Sequence, residues 1–99
     1  MQNKKEIVTT DRAPKAIGPY SQAVKSGPFL FCSGQIPLDP VTGQLVSSDV
    51  GEQIKQVMKN VEGLLAAGGC TFESVVKATI FLKSMGDFPK VNEVYATYF

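Results

Sequence analysis

The chain has 99 residues, apolar and charged fractions ordinary for a globular protein, and a formal net charge of +1. This length suits one domain with a modest core. Its lysines are scattered and Arg12 is the only arginine, whereas nucleic-acid binding requires clustered basic residues. No apolar run is long enough to span a bilayer, and Met1 to Glu6 is polar, unlike a signal peptide. We therefore expect a cytosolic protein with no nucleic-acid or membrane partner and with reduced Cys32 and Cys70.

The composition also restricts the chemistry that the chain can perform. It contains no histidine and two cysteines, which removes most zinc sites because these draw several ligands from Cys and His. No imidazole is available as a general base, so acid–base work would fall to carboxylates, tyrosine, lysine, backbone groups or water. We expect neither a metal nor a cofactor.

Turns and short strands are predicted for the first half of the chain. Pro14 and Pro19 favour extended or turn geometry in the lead-in over residues 9–18. Residues 26–28 (SGP) and 39–43 (DPVTG) carry turn signals. The strands predicted around these turns are 20–25, 29–32, which is apolar on both faces, and 44–47.

Residues 49 to about 67 form the clearest predicted helix. Asp49 with Glu52 three residues later resembles a capping box, and Gly68-Gly69 provides a left-handed stop. The face that carries Glu52 and Lys55 is charged and solvated. The apolar side chains fall within about 120° of the helical wheel; they are Val50, Ile54, Val57, Met58, Val61, Leu64 and Leu65.

A further strand and a second helix are predicted in the remainder of the chain. Residues 75–83 alternate so that one face of the strand is wholly apolar. Asp87 is expected to cap a helix that has Pro89 in its first turn and an apolar stripe reaching Tyr98. Because that stripe is still running at Tyr98 without a cap, we expect the chain to be a fragment or truncated product.

These elements predict an α+β fold in which two helices cover one face of an antiparallel or mixed sheet. The strand at 29–32, together with Phe81, places apolar side chains on the other face as well. A large exposed apolar patch marks an interface, so homo-oligomerisation is the economical expectation.

Three short blocks carry a family resemblance: residues 17–23 (IGPYSQA), 33–37 (SGQIP) and 91–95 (VNEVY). They resemble the RidA/YjgF family, and the resemblance extends over nearly the whole chain. It implies that residues 1–99 are one RidA-like domain, C-terminally incomplete, with a chorismate-mutase-like fold that forms homotrimers. It also implies cofactor-independent hydrolysis of reactive 2-imino and enamino acids, such as 2-iminobutanoate and 2-iminopropanoate, to 2-oxo acids and ammonia, in clefts between subunits.

Substrate binding is predicted at Tyr20, Ser33, Gly34 and Asn92. The resemblance places Tyr20 in the cleft, with its ring against the substrate. A glycine at a strand end lets a ligand approach the backbone, and Asn92 borders the apolar stripe of its helix. Structural roles remain open for each: a boundary tyrosine, a bulge glycine and a surface asparagine.

No catalytic residue is assigned. Imine hydrolysis needs a group that holds the substrate carboxylate, a base for the water and a proton donor for the departing nitrogen. The family's arginine and glutamate lie beyond the second helix and have no match here. Arg12 lies in the lead-in, Glu93 is off the stripe, and Cys32 and Cys70 suit structural roles. We therefore expect little or no hydrolase activity from this chain alone.

Two alternative functions are open. The chain could be a non-catalytic small-ligand-binding or regulatory member of the same family, which would bind 2-oxo acids without turnover. An RNA-directed activity has also been attached to the family, but the scattered charge disfavours it.

Overall fold

The computed structural model describes residues 4–99, so Met1 to Asn3 of the predicted polar lead lie outside the described residues. Three strands form an antiparallel sheet in the order β1-β2-β3, and two α-helices follow it, which confirms the predicted α+β class. The strands are β1 (Lys5–Val8), β2 (Ala23–Ser26) and β3 (Phe29–Cys32), and the helices are α1 (Val50–Ala67) and α2 (Phe88–Tyr95). Short 3₁₀ turns occupy Phe72–Ser74, Met85–Asp87 and Ala96–Tyr98.

The β2–β3 hairpin has the turn that the sequence predicts. Ser26 pairs with Phe29, which leaves the two-residue loop Gly27-Pro28 between the strands. Gly27 has φ +58°, the positive value that the first position of such a tight turn requires. The register fixes which side chains share a face, because successive residues point to opposite sides of the sheet.

Helix α1 begins and ends where the sequence predicts, but only half of the expected capping box forms, because the Asp49 N–H donates to Ser47 Oγ rather than to Glu52. The Asp49 side chain accepts a hydrogen bond from the Glu52 N–H at 3.0 Å. At the other end, Gly69 has φ +78°, its N–H donates to Ala66 O at 3.0 Å, and the Cys70 N–H donates to Leu65 O at 2.7 Å. These two bonds form a Schellman motif, which satisfies carbonyls that the helix leaves unpaired.

Two small apolar clusters make up the core. The first lies between the sheet and the C-terminal half of α1, and the second lies between the N-terminal half of α1 and α2. Buried residues of the first are Val8, Ala13, Ala23 and Leu64, with Leu30 packed against them. Buried residues of the second are Ile54, Met58 and Val91. Within residues 4–99, none of the helices is both long and apolar enough to cross a bilayer.

The predicted strand at 75–83 is wrong. Among residues 4–99 no strand pairs with this segment, and the Val75 N–H instead donates to Phe72 O of the preceding 3₁₀ turn. Leu82 packs into the second cluster, whereas Val76 and Phe81 are exposed. Alternation describes a half-buried extended segment, but a strand also requires a partner that completes its backbone hydrogen bonds.

Other boundaries also differ from the predictions. The predicted strand at 20–25 begins only at Ala23, and the one at 44–47 reduces to a single bridge between Leu38 and Leu45. Strand β1 was not predicted. The Asp87 side chain makes no capping hydrogen bond, because Asp87 is the last residue of a 3₁₀ turn that continues directly into α2. The capping bond forms at the start of that turn, where the Ser84 side chain accepts from the Gly86 N–H.

The sheet face opposite α1 is apolar and open, as expected for the strand at 29–32. Ile7, Val24 and Phe31 align across the three strands, and Phe29 lies in the next row. Phe29 and Phe31 are 56% and 61% exposed, with their ring centroids 6.2 Å apart. Phe81 lies on the unpaired segment after α1 rather than on this sheet, which corrects its predicted place.

Candidate functional site

Two of the sequence blocks meet where β2 begins and β3 ends. Because the strands are antiparallel neighbours, the residues before Ala23 lie beside those after Cys32. Ser33 joins them: its N–H donates to Gln22 O at 3.0 Å, and its hydroxyl donates to Ser21 O. The structure therefore brings the Tyr20 segment and the Ser33-Gly34 pair together, as the hairpin register requires.

Gly34 presents open backbone at this junction. A Cβ built on it meets nothing within 4 Å, and its φ is not in the left-handed region. Among residues 4–99 its N–H has no hydrogen-bond acceptor. Neither turn geometry nor close packing among residues 4–99 therefore requires a glycine here. What the glycine provides is room for another group to reach the backbone.

Tyr20 directly precedes Ser21, whose carbonyl accepts the hydrogen bond from the Ser33 hydroxyl. Gly18 has φ +82°, and the Tyr20 N–H donates to Gly18 O at 2.8 Å across Pro19, which forms a tight turn before the strand. The Tyr20 side chain is 46% exposed and makes no hydrogen bond with any described residue. Its ring and hydroxyl are thus both available to a ligand.

Gln22 is a structural residue that sequence reasoning passed over. It is only 4% exposed, and its amide binds the lead-in on both sides. The side-chain oxygen accepts from the Thr10 N–H at 2.8 Å, while Nε2 donates to Thr10 O, Ala13 O and Pro14 O at 3.0, 3.2 and 2.8 Å. Its place in the 17–23 block, one residue before a strand, is the signal that could have found it.

Asn60 is a second buried amide that was not predicted. It lies in α1, has no exposed surface, and donates to Ile36 O and Leu38 O. Both carbonyls belong to the segment that follows Gly34. A polar residue three positions after Val57 and four before Leu64, inside an apolar stripe, was the available signal.

Among residues 4–99, Asn92 is not joined to the cluster formed by Tyr20, Ser33 and Gly34. It is exposed on α2, which packs against α1, and its side chain has no hydrogen-bond partner among residues 4–99. Two shallow grooves between α1 and the last residues of the chain contain none of the four predicted binding residues. A single copy of the described chain therefore presents the cluster on an open surface.

The other candidate groups do not supply a catalytic residue. Arg12 pairs with Glu62 at 3.4 Å on an exposed surface, where an ion pair contributes little. Burial, and then the neighbouring Cys70, raise the pKa of the Cys32 thiol, so it is less ionised near neutral pH than an ordinary thiol and is a weaker nucleophile. Across residues 4–99 no three metal-ligating side chains come together.

The comparisons with known proteins agree with the motif blocks. A family model described as "Endoribonuclease L-PSP" matches residues 10–99. The mouse protein named 2-iminobutanoate/2-iminopropanoate deaminase is 50% identical over 95 residues, which cover 96% of this chain and 70% of that protein. A Rid-family structure from Yersinia pestis superposes with a TM-score of 0.95 at 45% identity, covering 97% of this chain and 76% of that one. Escherichia coli TdcF, solved with bound serine, gives 0.91 at 41% identity, covering 95% and 73%.

Proposed function

Because the chain belongs to the endoribonuclease L-PSP family, which the RidA/YjgF motifs indicated, we propose that its function is that of a 2-imino acid deaminase. The reaction is hydrolysis of 2-iminobutanoate or 2-iminopropanoate: water adds to C2, the C2–N bond breaks, and a 2-oxo acid and ammonia leave. The name of the mouse relative supports this reaction. The observation that supports the proposal is the junction at Ser33, which joins the segment that contains the exposed Tyr20 to the segment that contains the open Gly34 backbone.

The cluster suits a small planar carboxylate. The Gly34 N–H has no acceptor among residues 4–99. It can therefore donate to a carboxylate oxygen or to an imine nitrogen of a ligand without first losing a hydrogen bond within the protein. The Ser33 hydroxyl donates to Ser21 O, so toward a ligand it can only accept. The exposed Tyr20 ring offers a flat apolar surface and a hydroxyl. The serine bound to the Escherichia coli relative also carries a carboxylate and a nitrogen on C2.

The cluster contains no cation and no base, so binding and turnover are separate properties. Arg12 lies on an exposed surface opposite Glu62 and makes no hydrogen bond to Tyr20, Ser33 or Gly34, and among residues 4–99 no carboxylate is bonded to these three residues. Anchoring the substrate carboxylate and orienting the water need groups of that kind. We therefore expect the chain as given to bind 2-oxo and 2-imino acids while hydrolysing the latter slowly or not at all, without any cofactor.

A homotrimer is part of the proposal. The open sheet face of Ile7, Val24, Phe29 and Phe31 is apolar and would be covered by another copy. Residues of a second copy would also line the side of the cluster that is open in a single copy. We propose that Asn92 of that second copy contacts the ligand there. We propose a cytosolic location, which suits two cysteines that form no disulfide.

The first test is calorimetric titration with 2-oxobutanoate together with ammonia release from freshly generated 2-iminobutanoate. Tyr20→Phe should weaken binding several-fold, because it removes the one hydroxyl of the cluster that makes no hydrogen bond among residues 4–99 and is therefore free to donate to a ligand. Tyr98→Phe is the matched control: it removes a hydroxyl from a tyrosine packed against Phe72 and should change nothing. Equal effects of the two variants, or no binding of 2-oxobutanoate, would refute the proposal.

The same measurements separate the alternatives. Appending to this chain the part of the mouse relative that the match does not cover should raise turnover if the function is hydrolysis. Binding without turnover in the extended chain would favour a ligand-binding or regulatory role instead. The family description names a ribonuclease, so RNA cleavage is the second candidate; salt-dependent RNA binding and strand cleavage would support it in place of deamination.

A further inference from the structure

Asn60 is buried in a position where an apolar side chain would fill the space without a desolvation cost. It has no exposed surface and is, with Leu64, among the largest side chains that are completely buried. Burying an amide is unfavourable unless its polar atoms are bonded. Here they are: Nδ2 donates to Ile36 O at 3.3 Å and to Leu38 O at 3.0 Å, and Oδ1 accepts from Gln56 Nε2 at 2.9 Å.

These bonds secure the segment that leaves the candidate site. Residues 33–37 form neither helix nor strand, so their position depends on individual contacts. Ser33 attaches one end of the segment to the start of β2, and Asn60 attaches the other end to α1 through the carbonyls of Ile36 and Leu38. Gly34 lies between the two attachments, two residues from Ile36.

We propose that Asn60 is a positioning residue that holds the segment containing Gly34 in place against the start of β2, so that the Gly34 backbone can receive a carboxylate-bearing ligand; this rests on the proposed function. Asn60 touches no ligand itself. It acts through two carbonyls, and because carbonyl oxygens only accept, the position requires a side chain with two donors. Serine has one donor, and an ionised aspartate has none.

The test compares three variants. Asn60→Asp keeps the shape and the acceptor but loses the donors, and Asn60→Ser keeps one donor in case the aspartate variant does not fold. Gln53→Glu is the matched control, because Gln53 is also an amide of α1 that donates to a loop carbonyl, Ser47 O, at 2.9 Å. All three remove an amide from the same helix, Gln53 being half-buried and Asn60 fully buried, but only the two Asn60 variants remove hydrogen bonds to residues 36 and 38.

Two quantities are measured on the full chain. The first is amide hydrogen exchange at Leu38 and Val46, whose N–H groups donate within this region to Ile36 O and Pro37 O. The second is the dissociation constant for 2-oxobutanoate. In both Asn60 variants we expect exchange to accelerate about tenfold at these two amides, beyond any change at strand amides, as loss of roughly one hydrogen bond implies. Binding should weaken by a similar factor.

A purely structural role gives a different result. Exchange would then rise equally in the Gly34 segment and in the strands, or Gln53→Glu would weaken ligand binding as much as the Asn60 variants do; either result overturns the proposal. If the unaltered chain binds no 2-oxobutanoate, the proposed function fails, and selective exchange at Leu38 and Val46 alone then supports or refutes the positioning role.

Discussion

Replacing Gln22 by methionine should be the most damaging single change near the candidate site. Methionine keeps the length and volume of the side chain but removes the amide that binds the lead-in. That amide makes four contacts, with Thr10 N–H and the carbonyls of Thr10, Ala13 and Pro14. Because Nε2 carries two hydrogens for three carbonyls, we count three independent hydrogen bonds.

The magnitude follows from this count. At about 1 kcal/mol per bond, with part-buried carbonyls left unpaired, the free energy of unfolding should fall by about 2–4 kcal/mol. For a domain of this size each kcal/mol lowers the melting temperature by about 4–8 °C. Since whole domains are stable by roughly 5–15 kcal/mol, this single side chain accounts for a large share of the total.

Urea unfolding followed by circular dichroism measures the effect. Gln53→Met is the control, because Gln53 makes one comparable bond, to Ser47 O. We expect that control to cost about 1 kcal/mol or less. If Gln22→Met costs no more than Gln53→Met, the reasoning that a buried amide anchors the lead-in is refuted.

Three further predictions follow from other positions. Gly34→Ala should change the free energy of unfolding by less than about 0.5 kcal/mol, since its Cβ would meet open space, yet weaken 2-oxobutanoate binding by calorimetry; unchanged binding contradicts the assigned role. Gly63→Ala should lower the free energy of unfolding in urea by about 1–2 kcal/mol despite alanine's higher helix propensity, because the new Cβ would lie 2.5 Å from Arg12 Cβ and 2.8 Å from Arg12 O. Gly51→Ala is the control, because its Cβ would mainly meet the flexible Lys90 side chain. The raised pKa of the Cys32 thiol means that the folded chain retains a proton that the unfolded chain loses as pH rises through the usual thiol range, so the free energy of unfolding should fall over that range. Urea unfolding at several pH values measures this slope, and Cys32→Ser should remove the contribution of this thiol to it.

An element of this fold can be predicted from the sequence when the residues that define it lie within the element or next to it. Helix α1 was predicted almost to the residue because its start at Asp49 and its stop at Gly69 lie within the helix and its flanks. The β2–β3 hairpin was placed by its Gly-Pro turn for the same reason. Strand β1 was missed, since it is defined by pairing with β2 some 15 residues away rather than by its own short, charged sequence.

The segment at 75–83 illustrates the converse case. Its alternation is clear, but nothing in a sequence states which strand, if any, will pair with it. The structure uses Leu82 from its apolar face and leaves Val76 and Phe81 in solvent. Periodicity therefore predicts which residues share a face, and the existence of a strand has to be decided by its partner.

The same distinction between local signals and contacts with distant residues applies to the candidate site. That Tyr20 and Ser33-Gly34 would meet could be predicted, because a two-residue hairpin fixes the neighbours of β2 and β3. The hydrogen-bond partners of Gln22 and Asn60 could not be predicted, because all of them except one are backbone atoms, and backbone atoms are the same at every position. A buried amide is recognised in a sequence only by its unusual place in an apolar pattern.

This construction determines how the site can be tested. The groups that would contact a ligand at Gly34 belong to the backbone, and no substitution removes an N–H without also restricting the chain, as proline would. Mutations of the side chains that hold this backbone will therefore change stability and binding together, whereas Gly34→Ala should change binding with little effect on stability. The ratio of the two effects carries the information: Gln22 should lose mainly stability, Gly34 mainly binding, and Asn60 binding together with local protection. Equal ratios at all three positions would mean that Ser33 joins two loops without forming a site.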